Sequence, residues 1–80
     1  MTHVYTMKFV EGATGKPIAG IELTVMGKFG IVNGTTDVNG TVSVEMPDLW
    51  MPAHSWQAHL HGIIIAHQTG EPPSEYVLGR

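Results

Sequence analysis

Apolar and polar residues alternate with a period of two in four stretches of this chain, the signature of strands with one dry and one wet face. Tyr5, Met7 and Phe9 share a face opposite Thr6 and Lys8, which predicts a first strand over His3–Val10. Ile21, Leu23 and Val25 alternate with Glu22, Thr24 and Met26 in a second. Val42, Val44 and Met46 alternate with Thr41, Ser43 and Glu45, the cleanest pattern in the chain. Trp56, Ala58 and Leu60 alternate with Ser55, Gln57, His59 and His61.

Three shorter segments complete the set. A short strand is expected around Gly30–Thr35, where Ile31 and Val32 follow Phe29 between glycines, and Tyr76–Leu78 suits a short closing strand. The uninterrupted apolar run Ile63-Ile64-Ile65-Ala66 predicts a strand covered on both faces. No window carries an apolar period of 3.6 over three turns. The expected fold is therefore all-β: a two-sheet, Greek-key-type β-sandwich of about seven short strands, its apolar faces turned toward each other.

Glycine and proline mark the corners. In Glu11–Val25 a turn built on Gly12, Gly15, Pro17 and Gly20 leads directly into the second strand, so a hairpin is expected there. Asp37-Val38-Asn39-Gly40 predicts a tight hairpin, because Asn-Gly favours the positive φ values such turns require. Pro47 to Pro52 is bracketed by prolines and holds Leu49, Trp50 and Met51, which cannot all point inward from a regular strand. A long connection with one helical turn and an exposed apolar patch is expected there. Thr69–Ser74, with Gly70, Pro72 and Pro73, is a further turn.

Composition narrows the function more than the fold. Eighty residues suffice for one domain with a thin core, since a chain of this size buries only about 60–65 % of its unfolded surface. The net charge is −3, and Lys8, Lys16, Lys28 and Arg80 are the only permanent cations. That balance gives no footprint for nucleic acid or an anionic membrane surface. The chain has no cysteine, so neither disulfides nor thiolate metal sites enter the fold. No apolar run is long enough to span a bilayer, and the amino terminus lacks the basic and apolar regions of a signal peptide. A cytoplasmic protein, or one exported with a partner, is consistent with this.

Candidate chemistry is sparse. Two His spaced i, i+2 on a strand project from one face, so His59 and His61 could supply two ligands to zinc or copper, with His54 and His67 as further donors. A solvated strand face that happens to carry His is the plainer reading. Leu49, Trp50 and Met51 form an apolar lip able to anchor a protein partner, or else Trp50 caps one end of the core. Asp37 and Asn39 are explained by turn chemistry. No nucleophile elbow, phosphate loop or dinucleotide fingerprint occurs, and the glycines stand between strands. No catalytic residue and no cofactor is expected.

The segments T14-G-K-P-I-A-G-I-E-L-T-V25 and T35-T-D-V-N-G-T-V-S-V44 resemble the transthyretin-like and carboxypeptidase-regulatory-like β-sandwich modules. In those families a T-G-x-P-x-x-G turn ends the first strand and a T-D-x-x-G turn introduces an alternating one. M51-P-A-H-S-W-Q-A-H-L60 resembles their later proline–aromatic strand, so the likeness covers residues 8–62. It implies the sandwich fold and an accessory role, often beside bacterial surface or secretion proteins. The 5-hydroxyisourate hydrolases share that fold, but the residues their chemistry uses are not matched here. Lys8 stands where their first catalytic His belongs, His3 lies too early, and Thr41 replaces their Arg. The ending Tyr76-Val77-Leu78-Gly79-Arg80 departs from their Y-R-G-S. The reading that follows is a non-enzymatic module that binds a protein through a sheet edge or its loops, with a homodimer through such an edge as one form.

Overall fold

A computed structural model describes residues 1–79. Seven strands form two sheets: β1 (Thr2–Glu11), β2 (Glu22–Met26), β3 (Ile31–Thr35), β4 (Thr41–Pro47), β5 (Ser55–Leu60), β6 (Ile63–Thr69) and β7 (Glu75–Leu78). One sheet has the order β4-β1-β7 and the other β3-β2-β5-β6. The only helical element among the described residues is a 3-10 turn, Asp48–Trp50. All neighbours are antiparallel except β1 and β7, which run parallel and set Lys8 beside Glu75 and Glu11 beside Leu78.

The alternating faces meet as their period demands. Tyr5, Met7 and Phe9 from β1, with Val42, Val44 and Met46 from β4, face Ile21, Leu23, Val25, Trp56 and Ala58 of the other layer. Phe9, Trp56 and Tyr76 form an aromatic cluster that ties the layers together, with ring centroids 5.3–6.4 Å apart. Tilted and edge-on contacts of this kind add about 0.5–1.5 kcal/mol to the burial of each pair.

The corners differ from the hairpins expected. Between β1 and β2 the chain turns back at once, with Ile18 N–H donating to Phe9 O and Val10 bridging Pro17. At Gly20 (φ 83°) it then leaves for the second sheet. Asp37–Gly40 likewise does not join paired strands: β3 and β4 lie in different sheets, and the turn carries the chain across. Only Gly40 (φ 74°) takes a positive φ there, while Asp37 Oδ1 accepts from the N–H groups of Asn39 and Thr41. The sequence signal for a turn is the same in both cases, because the local backbone conformation does not determine which strands pair.

The double cover expected for Ile63–Ala66 is absent. β6 is the outer strand of its sheet, with Ile63 68 % and Ile64 56 % exposed, and only Ala66 is buried. A bulge between Ala58 and His59 leaves Ile65 as the extra residue, so both Ile65 and Ala66 lean on the core. A run of β-branched residues suits an edge strand as well as a central one.

Candidate functional site

One end of the sandwich gathers most of what could engage a ligand or partner. The loop Gly27–Gly30 between β2 and β3 lies against the 3-10 turn, because Lys28 N–H donates to Trp50 O and Gly27 N–H to Gly30 O. Glycine is required by the closeness of that approach. A β-carbon at Gly30 would stand 2.6 Å from Trp50 Cη2, and one at Gly27 would stand 2.9 Å from both Met46 Cε and Trp50 O. The far edge of the Trp50 ring thus closes on the loop at Gly30, and Trp50 is half-buried and packed on the core.

Around it stand large apolar side chains in contact with water. Leu49 is 80 % exposed and Phe29 67 %, and Ile31, which opens β3 after the loop, is exposed as well. Met51 is half-buried and packs on the core. Of the lip read from the sequence, Leu49 faces solvent, whereas Trp50 and Met51 divide between core and surface. Phe29 and Ile31 join Leu49 only in three dimensions, through the bonds that seat the loop on Trp50. Lys28 Nζ sits 5.6 Å from the Phe29 ring centroid. Beside the patch is a hollow of about 310 Å³ lined by Lys28, Met51, Pro52, Ala53 and His54. His54 Nε2 lies 2.9 Å from Gly27 O, holding the hollow's two sides together.

Behind that wall lies a polar contact no sequence pattern announces. The Tyr5 hydroxyl, inside the first strand's buried face, donates to the Glu71 carboxylate in the β6–β7 loop, and Met51 Sδ lies 3.2 Å from the same oxygen. Burial raises the phenol's pKa above 10.0, and the Glu71 hydrogen bond raises it further, against a backbone hydrogen bond from Ala53. Gly70 N–H donates to His54 O and Lys8 N–H to Ser74 O, so the loop is fastened at both ends. His3 stands edge-on to Tyr5, with centroids 4.6 Å apart.

The two His residues proposed as ligands are separated by the end of their strand. β5 stops at Leu60, and His61 (φ 53°) and Gly62 (φ 80°) form the two-residue turn into β6, a type I′ conformation. His61 therefore does not continue the alternation that would align it with His59. His59 pairs across to Glu22 and Ile64, and its Nδ1 is buried without a hydrogen-bond partner. Among the described residues, no three His, Asp or Glu side chains come together in a group able to hold a metal ion. Asp37 is engaged in its turn.

No helix of the described residues is long and apolar enough to cross a membrane. No family model, curated protein or solved structure matches this chain.

Proposed function

We propose that this chain is a non-enzymatic β-sandwich module that binds another protein through the loop end bearing Phe29, Ile31, Leu49 and Trp50. The observation that carries this reading is the exposure of Leu49 and Phe29 on two loops that a Lys28 N–H to Trp50 O hydrogen bond joins. Apolar side chains carried on a hydrogen-bonded backbone leave less backbone entropy to lose on binding, and aromatic residues are favoured where binding energy concentrates. The hollow beside them offers a seat for one partner side chain.

The transthyretin-like identity belongs to the same proposal. Support comes from the quoted turns: Gly15 (φ 73°) and Gly20 occupy positive-φ corners between β1 and β2, and Gly40 one between β3 and β4. The accessory role of such modules is carried over by resemblance alone.

The test compares the wild-type chain with a Phe29→Ser/Leu49→Ser variant that melts at the same temperature. A protein retained from a native extract by the wild type and lost by the variant supports the reading. Identical retention by both, or turnover of hydroxyisourate well above the rate in buffer, removes it.

A further inference from the structure

The two sheets are unequal, and the shortfall lies on one flank. β3 packs along β4, with Gly34 closing on Val42 and Val44, so the sandwich is shut on that side. Tyr76 of β7 sits on Trp56 of β5, with centroids 5.3 Å apart. With three strands facing four, β6 has no strand opposite it. The open flank carries an apolar groove of about 310 Å³, walled by Ile18, Leu60, Ile65 and Leu78, with Glu11 and Gly79 at its rim. Its four apolar walls are half-buried extensions of the core.

The outer edge of β7, the strand that brings Leu78 to the groove, is free. Lys8 N–H donates to Ser74 O and Gly12 N–H to Leu78 O, so the even-numbered carbonyls of this segment face β1. The backbone groups of Glu75 and Val77 consequently turn outward, where no strand meets them. The facing edge on β6 is interrupted by its bulge at Ile65, a device that discourages pairing, whereas β7 has none. Among the described residues three carboxylates lie along this flank: Glu11 at the rim, Glu75 on the edge in register with Lys8, and Glu71 in the loop before it.

We propose that this flank receives an extended segment of another polypeptide as a fourth strand beside β7. Its alternate apolar side chains fill the groove, and its Lys or Arg residues, on the opposite face, stand beside Glu75. A strand is the occupant because the outer edge of β7 offers unpaired backbone donors and acceptors at Glu75 and Val77, and the groove next to Leu78 offers apolar surface. A compact apolar ligand would satisfy only the second. A cationic segment is specified because like charges across an added strand oppose pairing. This goes beyond binding through the Leu49 end: it adds a second, separate surface and names the partner chemistry that surface would take.

The probe is a fluorescent synthetic peptide alternating Val with Lys and Thr, titrated into the intact chain and followed by anisotropy and amide hydrogen exchange. Binding is expected to be saturable, to slow exchange at Glu75 and Val77, and to weaken with salt. Val77→Pro removes one outward donor that the fold itself does not use, and should lower affinity about tenfold. The same peptide N-methylated at alternate residues keeps its side chains, cannot pair, and should not bind; this control needs no protein variant. Binding that survives both changes, equal binding of a Glu-for-Lys peptide, or no saturation overturns the proposal. So does concentration-dependent protection of Glu75 and Val77 without peptide, which would make a second copy the occupant. Phe29→Ser/Leu49→Ser should leave peptide binding unchanged, so the two surfaces succeed or fail independently.

Discussion

The far edge of the Trp50 ring occupies the space a β-carbon at Gly30 would need, 2.6 Å from Cη2. One residue's missing side chain is what lets the other approach so closely. The exposed patch depends on this contact, since a raised Trp50 would separate the loop from Leu49.

Gly30→Ala should therefore displace the ring and cost about 1–3 kcal/mol, the range for overpacking a well-filled site. Tryptophan emission is expected to shift red, with Trp56 buried throughout as the constant contribution. Unchanged emission together with an unchanged melting temperature would refute the account of this end.

Thr36 is the one buried polar residue among those described, and its hydroxyl is fully used. Oγ1 accepts from Ile21 N–H at 2.9 Å and donates to Ile18 O at 2.8 Å, pinning the chain where it crosses between layers. Thr36→Val keeps the shape and orphans both partners, at about 1–3 kcal/mol for each group left without water. Thr36→Ser should recover most of that loss. Equal stability of the valine and serine variants in urea would show that the bonds contribute nothing.

The Tyr5 phenol has a raised pKa, which fixes the sign of a pH effect. The unfolded chain ionises near 10.0 while the folded chain holds the phenol neutral. The contribution to stability is thus complete below 10.0 and is lost as pH rises from there through the folded value. Urea midpoints measured from about pH 9 to about pH 11 should fall more steeply for the wild type than for Tyr5→Phe. The variant should start about 1 kcal/mol lower through loss of the Glu71 bond. Parallel curves would contradict the burial of this hydroxyl.

Position on the edge rather than in the middle of a sheet makes β6 tolerant outside and intolerant inside. Ile64→Thr should change stability by no more than about 0.5 kcal/mol, whereas Ala66→Asp should unfold the domain by burying an unpaired charge. A cost above about 2 kcal/mol for Ile64→Thr would restore the doubly covered strand read from the sequence.

Four strands were legible because each is dry on one face only, and a period of two is then written directly into residues such as Val42, Val44 and Met46. What the alternation could not convey was partnership. Asp37–Gly40 reads identically whether it folds a hairpin or crosses between layers, and an isoleucine run reads identically at a centre or an edge. Leu49 and Trp50 stood out for their composition, yet Phe29 and Ile31 joined them only through the contact at Gly30. The Tyr5–Glu71 bond links residues at opposite ends of the chain, a distance over which no local pattern carries information. At His59 and His61 the alternation in the sequence runs one residue past the strand, which ends at Leu60.

The parallel pairing of Lys8 with Glu75 also bears on how the domain is made. A ribosome delivers β1 first and β7 last, so the three-stranded layer cannot be finished during synthesis until nearly all of this segment has emerged. Until then Phe9 and Trp56 lack the cover of Tyr76, and the growing polypeptide presents sticky aromatic surface to its surroundings. Folding should accordingly be late and abrupt, with chaperone protection needed longest by the residues that were translated earliest.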